Sequence, residues 1–158
     1  MGICIGTIRY GRENKEDKYM EKSLEALNEK AEQLFNANQR KEMEDLAKEN
    51  GLDAYLVDMY MAGELPMLCP DAATFAVGKL DKEVAEYKSM PELANGIAEY
   101  MKQQVQDNEQ LAAGVIAKPL KGLCDQVYEE AKKRKKGNCA YIPPFEVFQM
   151  AKAYYLED

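Results

Sequence analysis

The stretch MEKSLEALNEKAEQLF, residues 20–35, decides the class of fold. Its apolar residues Met20, Leu24, Leu27, Ala31 and Leu34 recur four, three, four and three apart, with Glu and Lys between them. That is the spacing of one helix face, not the alternation of a strand. The seam fades after Phe35 and resumes on a drifted face at Met43, Leu46 and Ala47. The reading is one long amphipathic helix over residues 15–50, stopped by the C-terminal signal Asn50-Gly51. The seam is shorter than the three to four heptads of a coiled coil. It therefore predicts a helix packed antiparallel on its neighbours, or a helical arm. A self-associating scaffold, such as a homodimer, is the other use of such a seam.

Outward from this helix, the chain continues to read as helical. Leu52 to Met61, dense in Tyr and Met, predicts a second helix, and Gly63 to Pro70 a loop. Asp71 to Val77 is open between states, and Leu80 to Tyr87 reads as a turn or two of helix. Pro91 suits the first turn of a helix that presents Leu93, Ile97, Tyr100, Met101 and Val105 on one face. Asn108 can cap a short helix through Leu111 to Ile116. Lys118-Pro119 starts a longer one to about Lys136, with Gly137 as its stop, and Pro143-Pro144 open the last. On the other side, Ile3 to Tyr10 carries β-branched and aromatic residues that suit a short strand. The expected fold is all-α or nearly so. It has an acidic N-terminal region, residues 1–90, and a compact C-terminal helical module, residues 91–158.

Composition narrows the chemistry. None of the 158 residues is histidine, which removes Ser-His-Asp and Cys-His catalysis, imidazole metal ligation and the commonest general base. Cys4, Cys69, Cys124 and Cys139 lie far apart, without the paired spacing of a zinc site or the density of a disulfide scaffold. They read as free thiols in a reducing compartment, and no apolar run is long enough to cross a membrane. These features point to a cytoplasmic binding protein rather than an enzyme, with no cofactor and no metal.

Charge is unevenly spread. Residues 1–117 carry 13 Lys+Arg against 22 Asp+Glu, a net of −9, and residues 118–158 carry 8 against 6, a net of +2. Three groups of residues are candidates for partner contact. Glu21, Glu25, Glu29 and Glu32 could face a basic channel in a partner, or form a solvated helix face laced with Glu–Lys pairs. Tyr55, Met59, Tyr60 and Met61, with Met67, could form an adaptable contact surface or pack in the core. Lys132, Lys133, Arg134, Lys135 and Lys136 could contact phosphates, or favour a helix dipole from its C-terminal end.

One resemblance bears on these alternatives. The basic helix end Lys132 to Lys136, the Gly137-Asn138-Cys139-Ala140 segment and the Phe145-Glu146-Val147-Phe148 … Tyr154-Tyr155 helix occur in this order. Together they resemble the PcfK-like proteins of conjugative plasmids and mobile elements, and the related type II-A anti-CRISPR proteins. The similarity covers roughly residues 95–158. Pro143-Pro144 stands where the pattern has a polar cap. The resemblance implies an inhibitor of an RNA-guided type II CRISPR effector nuclease in a bacterial host. Its partner would be that nuclease with its guide RNA, which holds nucleic acid in positively charged channels. The alternative it leaves open is an accessory protein of a conjugative plasmid or mobile element, binding DNA directly or binding a relaxosome partner.

Overall fold

A computed structural model describes residues 2–4 and 20–157. Among them are eight helices: α1 (Leu24–Asn36), α2 (Arg40–Glu49), α3 (Ala54–Met61), α4 (Ala72–Glu86), α5 (Pro91–Gln104), α6 (Glu109–Ala117), α7 (Leu120–Arg134) and α8 (Pro144–Leu156). Two three-residue strands, β1 (Gly2–Cys4) and β2 (Cys139–Tyr141), pair antiparallel with Gly2 opposite Tyr141. The fold is all-α apart from this pair. No helix among the described residues is long and apolar enough to cross a membrane.

The single long helix expected over 15–50 is two helices. Ser23 caps α1 by accepting the Ala26 N–H at 3.1 Å, and the helix ends at Asn38, whose φ is +55°. The Asn38 N–H donates to the Phe35 carbonyl and the Gln39 N–H to the Leu34 carbonyl, the paired bonds of a Schellman C-cap. Asparagine is one of the few residues that tolerates the left-handed region. The turn lets α2 fold back against α1 and explains why the apolar face drifts after Phe35. The seam is filled from within the chain: Leu27 and Ala31 are fully buried, while Leu24 and Leu34 pack against the core. The start of the expected helix and the Ile5-to-Tyr10 part of the expected strand lie outside the described residues.

The open segment before Leu80 is also helical, so that one helix, α4, runs from Ala72 to Glu86. Asp71 caps it by accepting the Thr74 N–H at 2.7 Å. It packs along α5 and α6 and touches α7. A boundary at 90/91 therefore cuts through the densest helix packing, and the C-terminal helices form one body with α4. The buried apolar side chains make one continuous cluster, from Leu27 in α1 to Tyr155 in α8.

The later helices follow the sequence closely. Asn108 caps α6 through the Leu111 N–H at 3.0 Å, and Pro91 and Pro144 sit in the first turns of α5 and α8. One end differs. Helix α7 stops at Arg134, and Gly137 serves a turn between Lys136 and Cys139 instead.

A charged pair, Lys79 and Glu83, is buried where α4 meets α6 and α7. The Lys79 ammonium donates to the carbonyls of Val115 (2.8 Å), Ile116 (2.7 Å) and Lys118 (3.0 Å) at the end of α6. Glu83 accepts the Leu120 N–H at 2.6 Å, at the start of α7. Each side chain thus meets the helix end whose dipole and unpaired groups suit its charge.

Candidate partner-binding surfaces

Helix α1, the end of α3 and the loop over residues 62–70 enclose an open groove of about 790 Å³. Glu25, Glu29 and Glu32 stand along its α1 wall, one helical turn apart and exposed. Its apolar lining includes Leu24, Phe35, Tyr60, Leu65 and Met67. Phe35 and Met67 remain 39% and 38% exposed, too much for core residues of this size. The Phe35 and Tyr60 rings lie 5.2 Å apart. Burial first, and the Glu32 carboxylate second, push the Tyr60 phenol up from its ordinary pKa.

Asn28 fixes the opposite wall. Its amide donates to the Cys69 carbonyl at 3.0 Å, and its carbonyl accepts the Cys69 N–H at 3.0 Å. One side chain thus pairs both backbone groups of a loop residue, much as a neighbouring strand would. Asn28→Ala leaves both groups without that partner, and a loss of about 1–3 kcal/mol is expected. Urea denaturation would measure it, and faster amide exchange confined to residues 62–70 would locate it.

The net negative charge is concentrated in the N-terminal helices, and three of its carboxylates line this groove. Residues 20–71 hold 12 Asp+Glu against 5 Lys+Arg, a net of −7, equal to the net charge of the whole chain. Of the four glutamates singled out in the sequence, Glu25, Glu29 and Glu32 come together here. Glu21 is apart from them, paired with Lys30 at 3.1 Å. Tyr55 is 56% exposed and Met59 half-buried on α3, but neither lines the groove; Tyr60 of the same helix does. Of the loop over 62–70, Met67 belongs to the contact surface expected from the sequence, whereas Leu65 and Pro66 beside it were missed. The apolar run Leu65-Pro66-Met67-Leu68 between Glu64 and Asp71 was the available signal.

The basic run forms a separate surface at the end of α7. Lys132 meets Glu129 at 3.0 Å, Lys133 meets Glu130 at 3.5 Å, and Arg134 meets Glu130 at 3.1 Å and Glu146 at 2.5 Å. Lys135 and Lys136 are exposed and have no ion pair among the described residues. Lys132 also lies over the Tyr128 ring, 4.8 Å from its centre.

The buried thiols supply no nucleophile at neutral pH. Burial pushes Cys69 up to about 11 and Cys124 up to about 12, so both stay protonated. Among the described residues no group of three or more Cys, Asp or Glu is placed to hold a metal ion. No family model, curated protein or solved structure matches this chain.

Proposed function

We propose that this chain is a binding protein that inhibits an RNA-guided type II CRISPR effector nuclease in the bacterial cytoplasm. It does so by laying the acidic α1 face and its groove on a cationic nucleic-acid-binding surface of that enzyme. The observation that carries the reading is the segregation of charge. Residues 20–71 hold a net −7, and Glu25, Glu29 and Glu32 line the one wall of a groove whose floor offers exposed Phe35 and Met67. An anionic row steers the encounter with a basic channel, and an apolar floor gives the bound state something to bury. The resemblance of residues 95–158 names the class of partner. The other reading, a plasmid accessory protein gripping DNA through Lys132–Lys136, is weakened by the carboxylates that hold Lys132, Lys133 and Arg134.

The test is direct. At about tenfold molar excess over guide-loaded nuclease, the chain is expected to block DNA cleavage. The charge reversal Glu25→Lys, Glu29→Lys and Glu32→Lys together is expected to weaken inhibition at least about tenfold, mainly by slowing association. Undiminished cleavage in the presence of the unaltered protein would sink the reading.

A further inference from the structure

The surface at the end of α7 is a poor match to a DNA duplex, which rewards about six to ten phosphate contacts. Three of its five adjacent cations answer carboxylates of α7 and α8. Lys135 and Lys136 make no ion pair among the described residues, and Tyr141 and Phe145 follow them in the chain as exposed rings. Tyr141 is 64% exposed and Phe145 61%, the two most exposed large apolar side chains among the described residues.

The backbone brings Lys136 and Tyr141 to one face. Lys136 and Cys139 exchange backbone hydrogen bonds at 2.9 Å and 3.4 Å across a turn that Gly137, at φ +65°, makes possible. Directly opposed residues of an antiparallel pair share a face, as do residues two apart along a strand. Lys136, Cys139 and Tyr141 therefore lie on the outer face, with Ala140 turned inward. The cross-strand partner of Tyr141 is Gly2, which has no side chain to cover the ring. Phe145 follows in the first turn of α8, beside the Glu146 that Arg134 grips. That contact ties the start of α8 to the basic end of α7.

We propose that this surface is a contact for a short single strand of nucleic acid, with bases stacked on Tyr141 and Phe145 and phosphates met by Lys135 and Lys136. Sequence-tolerant binding of single strands rests on this combination, since every base has a π-face and every linkage a charge. Residues 118–158 carry a net +2 while residues 20–71 carry −7. An anionic strand is thus drawn to this end of the chain and repelled from the groove. An acidic peptide would meet the lysines but leave both rings without a stacking partner. The inference does not depend on nuclease inhibition, because it uses none of the groove residues.

Fluorescence anisotropy with the full chain and labelled oligothymidine or oligouridine of about 12 nucleotides tests it at about 50 mM salt. Two phosphate contacts predict a slope of log K against log salt near about −1.4. Tyr141→Ala with Phe145→Ala should weaken binding at least about tenfold and leave that slope unchanged. Lys135→Ser with Lys136→Ser should flatten the slope towards zero. All four positions are surface sites, and unchanged circular dichroism would establish that the variants fold. Absence of binding overturns the proposal, as does equal affinity for a duplex or for polyglutamate of the same length. A double aromatic variant that binds like the parent does so too.

Discussion

Lys79→Met is expected to cost about 3–5 kcal/mol of folding free energy, a large share of the roughly 5–15 kcal/mol that holds an ordinary domain together. Methionine keeps the length of the lysine stem, so little is lost in packing. The loss is electrostatic. The carbonyls of Val115, Ile116 and Lys118 each give up a charged donor at 2.7–3.0 Å. The Glu83 carboxylate, whose Oε1 lies 3.7 Å from the ammonium, is left buried without its counter-charge. Glu83→Gln keeps an acceptor for the Leu120 N–H but leaves the ammonium uncompensated, and should also destabilise. The double variant buries no net charge and should lose less than the sum of the two, by about 0.5–3 kcal/mol. Urea denaturation of the four proteins, followed by helical circular dichroism, measures all three differences. A Lys79→Met protein within about 1 kcal/mol of the parent would mean that the pair is not buried as described.

The same residue shows what the sequence of α4 does not reveal, namely which of its side chains are buried. A lysine and a glutamate one turn apart look like a solvated helix face, and here both are inside. Gly78, in mid-helix, lowers helix propensity further. The segment Asp71 to Val77 looked undecided, although Phe75 and Ala76 within it are wholly buried. Where local and tertiary preferences agreed, as at the cap Asn108 and the first-turn Pro91, the reading needed only residue types at their usual positions. The break at Asn38 was harder. Its signal is a single asparagine, and only the turn geometry separates it from an exposed helix residue. The acidic row was legible as charge, because Glu25, Glu29 and Glu32 share a helix face whatever α1 packs against. The groove was not, because its other wall comes from a loop held by Asn28 some forty residues away in the chain. The basic run was legible as composition, but its neutralisation by Glu146 depends on where α8 starts relative to α7.

Gly78→Ala separates local propensity from packing by the sign of its effect. Alanine in place of glycine in a helix interior favours the helix by about 0.5–1 kcal/mol. At this site the turn that follows α2 meets α4 backbone to backbone. A methyl group on Gly78 would drive into the Gly51 carbonyl, and one on Gly51 into the Gly78 carbonyl. Neither neighbour is a side chain that can swing away. The α2 end cannot retreat easily either. Buried Asn50 donates to the Leu46 carbonyl at 2.8 Å and accepts the Glu21 N–H at 2.8 Å, and the Lys82 ammonium bonds the Glu49 carbonyl. Overpacking should therefore win, with a net loss of about 2–3 kcal/mol. Gly51→Ala should lose more, since it meets the same obstruction and must hold a left-handed φ of +73°. Gly63→Ala provides the control: φ is +80° but nothing lies within reach of the added carbon, so only the backbone cost of about 1–2 kcal/mol applies. Thermal or urea denaturation ranks the three. The expected order of loss is Gly51→Ala, then Gly78→Ala, then Gly63→Ala. A stabilised Gly78→Ala protein would show that helix propensity governs this position and that Gly51 and Gly78 do not approach as closely as the structure has them.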